Sequence, residues 1–121
     1  MASAGAISTN DAKVKEQLSS IRNAAGVYDA ANGNYGTDAD CQAGGMGLDT
    51  ASGMVSLMAA SSWPDGTAPT CSTDSDGVSD ATQYSAYHVL SDASYWCIDS
   101  TGQSLAEASG WTAPTGGDAC P

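Results

Sequence analysis

The chain has no phenylalanine, one histidine and only three basic side chains in 121 residues. Without phenylalanine, and with an apolar share that leans on alanine, it builds a small core. The basic residues are also unevenly placed. Lys13, Lys15 and Arg22 all fall within residues 1–22, where Asp11 and Glu16 offset two of them; the rest of the chain carries twelve carboxylates and no Lys or Arg, for a net charge of −11. An acidic body of this kind repels nucleic-acid phosphates and anionic lipid heads, so direct nucleic-acid binding is not expected. No run approaches the ~20 apolar residues that span a bilayer. Met1 to Ser8 lacks the basic start and apolar middle of a signal peptide. There is no C-x-x-C pair, and the lone His88 has no neighbouring cysteine, so a zinc site is not expected. No Ser-His-Asp or Cys-His order has supporting context, and the chain is read as a non-enzyme. His88 is read as a structural side chain on a strand face.

What is present is an even set of cysteines, Cys41, Cys71, Cys97 and Cys120, in a short acidic chain. Two disulfides and an exported protein follow, since such bonds persist in oxidising compartments. Four cysteines allow three pairings. The length fits a single domain over residues 1–121, with residues 1–9 (Met-Ala-Ser-Ala-Gly-Ala and the residues after it) read as an engineered or irregular start. Fourteen glycines and many Ser, Thr and Asp residues point to a loop-rich fold.

Val14, Leu18, Ile21, Ala25 and Tyr28 are spaced 4, 3, 4 and 3 apart, which draws one apolar stripe along a helix. The helix is expected over about residues 10–31, capped by Ser8, Thr9 or Asn10 with Asp11 in its first turn. It should stop at Asn32-Gly33, where the left-handed conformation is accessible. Leu18, Ile21, Ala25 and Tyr28 are expected to pack on a sheet, with the turns near Val14 more exposed. A glycine-rich loop holding Cys41 follows, then a second short helix over Leu48 to Ser61 interrupted by Gly53, and a turn at Trp63-Pro64-Asp65-Gly66. Strands are expected at Thr67 to Thr73, Gln83 to Leu90 and Tyr95 to Asp99. In the second, Tyr84, Ala86, His88 and Leu90 share one face, with Tyr87 and Val89 on the other. The tail after Gln103 reads as irregular, with one helical turn at Ser104 to Ser109. The fold class is α+β: a long amphipathic helix on a small antiparallel sheet of about three strands.

The run Ala-Lys-Val-Lys-Glu-Gln-Leu-Ser-Ser-Ile-Arg-Asn-Ala-Ala, ending in Asn-Gly-Asn-Tyr-Gly, resembles the soluble half of the first helix of type IV pilins and pseudopilins. Tyr95-Trp-Cys-Ile-Asp-Ser-Thr-Gly102 resembles their last sheet strand, and the resemblance covers most of residues 12–102. It implies a structural subunit of a surface filament, with partners that are copies of itself and other pilins, assembling through the first helix. The family's apolar front half and its glutamate are not in this chain, so membrane contact is expected only through that missing segment. The resemblance also implies a disulfide-bounded C-terminal region, which Cys97–Cys120 matches. The sequential pairing, Cys41–Cys71 with Cys97–Cys120, is therefore favoured. It closes loops of about 30 and 24 residues, each stabilising by ~3–4 kcal/mol in the chain-entropy model.

Asp74, Asp76 and Asp80 surround the turn at Gly77. Set on a calcium loop they occupy positions three, five and nine, but Gln83 stands where the bidentate acid belongs. A solvated surface turn is the expected outcome, and no cofactor is expected, with calcium at these three aspartates as the alternative. Trp63, Trp96, Trp111 and the five tyrosines are read mostly as core or as staples beneath loops, with an exposed contact patch of Trp63 and Trp111, in Pro- and Gly-rich loops, as the alternative. A small secreted calcium- or glycan-binding module using these residues is the rival to the filament reading.

Overall fold

The computed structural model describes residues 2–121, with side chains from Asn10 onward. Helix α1 runs Ala2–Asn32, beginning before the expected cap at residues 8–10. It ends where the sequence indicates. Gly33 takes φ +75°, its N–H donates to the Asp29 carbonyl at 2.6 Å, and the Asn32 side-chain amide donates to the Tyr28 carbonyl at 2.9 Å.

Four strands, not three, form one antiparallel meander: β1 (Thr70–Thr73), β2 (Tyr84–Val89), β3 (Tyr95–Asp99) and β4 (Ser104–Glu107), in that spatial order. β4 replaces the helical turn expected at Ser104 to Ser109. It pairs with β3 through Cys97 opposite Leu105 and Tyr95 opposite Glu107. Hydrogen-bonding to a formed neighbour outweighs the helical preference of Leu, Ala and Glu. β1 is also shorter than expected, because residues 67–69 approach the sheet without joining its ladder.

The register sets one face against α1. Ala86 stands opposite Ile98 and His88 opposite Trp96, while Cys71 and Thr73 face Ala86 and Tyr84. Leu18, Ile21 and Ala25 from α1, with Ile98 and Ala86, are fully buried in the resulting core. Each large aliphatic side chain contributes about 1.5–3 kcal/mol on burial. Tyr28 packs on this core half-buried. Val14 is only 4 % exposed, which corrects the expectation of an exposed N-terminal turn. The contact between α1 and the sheet extends to Asp11, whose carboxylate accepts the N–H and hydroxyl of Ser91 in the β2–β3 turn at 2.9 and 3.0 Å. Asp11 thus ties two elements together from within the helix rather than serving its first turn.

The second helix is much reduced. Only α2 (Met54–Met58) is α-helical, flanked by 3-10 turns at Gly45–Leu48 and Ala60–Ser62. Gly53 sits just before it at φ +83°, so the chain starts a new helix there instead of continuing one. Met46, Met54, Met58 and Trp63 from this segment complete the core in place of the absent phenylalanines. Among the described residues, no helix is long and apolar enough to cross a membrane.

Candidate functional site

Both sequential disulfides form, Cys41–Cys71 and Cys97–Cys120, with Cα separations of 5.1 and 5.9 Å. The first fastens the loop after α1 along the outer edge of β1. There the Cys41 N–H donates to the Cys71 carbonyl at 3.3 Å and the Thr73 N–H to the Ala39 carbonyl at 3.0 Å. The second holds the tail to the face of the sheet opposite α1. Among the described residues these bonds are compatible with an exported protein.

The tail is anchored by more than its cysteine. Asp99, 1 % exposed, accepts the Cys120 N–H on Oδ2 at 2.8 Å. Its Oδ1 accepts from the Thr101 N–H at 2.9 Å, the Thr101 hydroxyl at 2.5 Å and the Gln103 N–H at 3.2 Å. Burial alone raises its pKa, but these donors outweigh burial and hold the carboxyl below its usual range. Gly117, at φ +73°, donates to the Ser72 hydroxyl at 3.1 Å. A Cβ there would stand 2.7 Å from the Gln83 carbonyl oxygen, so only glycine lets the tail lie this close to β2.

The Asp74–Asp80 turn spends its carboxylates on itself. Asp74 accepts from the Thr82 hydroxyl and N–H at 2.5 and 2.7 Å. Asp76 accepts from the Ser79 and Val78 N–H groups at 2.7 and 2.9 Å. The Thr82 side chain in one case and the Ser79 N–H in the other lead the bonds that hold these acids below the usual carboxylate range. Asp80 stands exposed. Among the described residues, no group of three or more His, Cys, Asp or Glu side chains comes together as a metal centre. Calcium at Asp74, Asp76 and Asp80 therefore remains a proposal without an assembled ligand set.

The two tryptophans do not share a patch. Trp63 is 3 % exposed, donates its indole N–H to the Leu57 carbonyl at 2.8 Å, and stacks on His88 at 4.6 Å and 9°. The imidazole belongs to the helix-facing side of the sheet. Its Nε2 lies 2.8 Å from the Thr67 carbonyl oxygen and 3.4 Å from the Asp65 carboxylate, and its Nδ1 lies 2.7 Å from the Val89 carbonyl oxygen. It stitches the segment before β1 to β2. Trp111 lies on the opposite face, packed against Tyr87 and Tyr95 at 5.1 and 5.4 Å.

Two of the three basic side chains are committed as well. Lys15 Nζ sits 4.5 Å from the Trp96 ring centroid, and Arg22 donates to the Gln103 carbonyl at 2.7 Å and to the Ser104 hydroxyl. Tyr84, buried behind Tyr35, has its phenol pushed up to about 12, by desolvation first and by the neighbouring Tyr35 second. Sequence reasoning missed the roles of Asp99 and Tyr84. Asp99 sits in an Asp-Ser-Thr-Gly stretch typical of a surface turn, and nothing local marks the approach of the tail. Compared with family models, with characterised proteins and with solved structures, the chain matches none.

Proposed function

We propose that this chain is the globular part of a type IV pilin-like or pseudopilin filament subunit, working as a structural rather than an enzymatic protein at the bacterial surface. The observation that carries the reading is the length of α1 relative to its sheet. Asp11 is already bonded to the β2–β3 turn, at one end of the sheet, while helical backbone begins at Ala2. A helix that outlasts its own sheet supplies a connection through which copies stack head to tail, and such heterologous contacts make filaments rather than closed rings. The acidic, disulfide-closed body would then face solvent and keep neighbouring filaments apart by charge. Partners in this reading are copies of the same chain and related subunits.

The test is immunogold labelling, with an antibody raised against the purified protein, of material sheared from the surface of cells that carry the gene. Label repeating along thin filaments supports the proposal. Label found only on dispersed, non-filamentous protein overturns it.

A further inference from the structure

Facing away from α1, the sheet carries a hollow of about 290 Å³. Tyr87 and Val89 of β2 and Tyr95 of β3 line it, with Thr67, Ala68 and Thr70 from the segment entering β1, and His88 borders it between Tyr87 and Val89. It opens where residues 67–69 leave the ladder, so the gap comes from the short β1. The volume is near the lower end of small-molecule sites, about 300 Å³.

Three properties narrow what fits. The rings are held in place: Trp111 packs on both tyrosines, and Tyr87 meets Tyr95 at 5.9 Å. A ligand stacking there would therefore order little that is still free. The lining includes no Asp, Glu, Lys or Arg in a chain of net charge −11, and the His88 imidazole stacks on Trp63 on the helix-facing side of the sheet. Exposed Thr67 and Thr70 and half-buried Tyr87 and Tyr95 bring hydroxyls that both donate and accept.

An anion would have to approach through the acidic surface, and the lining holds no carboxylate to pair with an ammonium. A wholly apolar ligand would strip water from the hydroxyls without replacing it. Ring faces beside neutral hydroxyls suit a molecule with C–H faces and hydroxyl edges. We propose that this outer-face hollow binds one residue of a neutral saccharide, stacked on Tyr95 and Tyr87 and hydrogen-bonded to Thr70 and Thr67. The site uses neither Asp74–Asp80 nor Trp63, and it does not depend on whether the chain assembles.

The experiment is an NMR titration of the isotope-labelled protein with glucose, galactose and N-acetylglucosamine, with glucuronate and glucosamine as charged counterparts. At least one neutral sugar should shift amides confined to residues 67–70, 87–89 and 95, with a dissociation constant of about 1–10 mM. Glucuronate, repelled by the acidic surface, should bind more weakly than that sugar. Tyr95→Ala should lower affinity about tenfold through lost stacking. Thr70→Val, at an exposed position, should lower it about threefold. If Tyr95→Ala does not fold, Thr70→Val carries the test alone. No shift with any of the three neutral sugars at about ten times the upper constant, or shifts that Thr70→Val leaves unchanged, would overturn the proposal.

Discussion

Replacing Asp99 should loosen the C-terminal tail while both disulfides stay closed. Its carboxylate holds four donors from two chain segments, and the Cys120 N–H among them is buried. In Asp99→Ala that N–H loses its only described acceptor, a penalty of about 1–3 kcal/mol for a buried unsatisfied donor. The Thr101 and Gln103 groups are near solvent and recover much of their bonding from water, which adds about 1 kcal/mol. The expected loss is about 2–4 kcal/mol. At a urea slope near 1.3 kcal/mol/M the midpoint falls by about 1.5–3 M. Asp99→Asn should cost nearly as much, because either amide orientation points N–H groups at N–H donors. Hydrogen exchange localises the effect: the Cys120 amide should lose protection in both variants before the Leu18–Ile21 segment does. The pH dependence has a definite sign. The folded pKa lies below the unfolded value near 3.8, so this stabilisation is complete above that value and is lost as pH falls through the folded one. Both variants should flatten the acid limb of the stability curve below about pH 4. Unchanged urea midpoints, or an acid limb identical to that of the parent protein, would refute the reasoning.

Two further outcomes follow from burial and backbone geometry. Leu18→Ala should cost about 2–5 kcal/mol, and Val14→Ala, at 4 % exposure, about 1–3 kcal/mol. Urea melts of the two variants check both, and a Val14→Ala variant with parental stability would show that the α1 end is not packed. Ala93, in the β2–β3 turn, is the one non-glycine residue with positive φ among the described residues, at 70°. Ala93→Gly should therefore stabilise by about 0.5–1 kcal/mol net of the added unfolded-state freedom, a gain readable in the thermal midpoint, and a loss of stability would contradict it.

The parts of the fold legible in sequence are those set by local periodicity. The 4-3-4-3 stripe placed Leu18, Ile21 and Ala25 in the core, and the alternation in β2 separated buried Tyr84, Ala86 and His88 from half-buried Tyr87 and Val89. The stop at Asn32-Gly33 was visible because a helix end needs a residue that tolerates positive φ. The misreadings share a physical cause. Ser104-Leu-Ala-Glu has no strand pattern of its own and becomes β4 because β3 presents open hydrogen-bonding groups beside it. The stretch around Gly53 carried helical spacing, yet the backbone breaks there. The alternative of an exposed patch at Trp63 fails for the same reason: His88, distant in sequence, offers the indole a flat partner and Leu57 an acceptor.

By itself the sequence determined that a small core leaning on alanine would form under one amphipathic helix, that the body would be strongly acidic, and that cysteines would brace it, since composition and short-range spacing decide these properties. Only the tertiary structure decided that Val14 is covered, that Asp99 secures the tail, and that Tyr87, Tyr95 and Trp111 share one face of the sheet. Each of those outcomes depends on strand register and on where the second disulfide lays the tail. Those are contacts between residues far apart in the chain, and no local pattern encodes them.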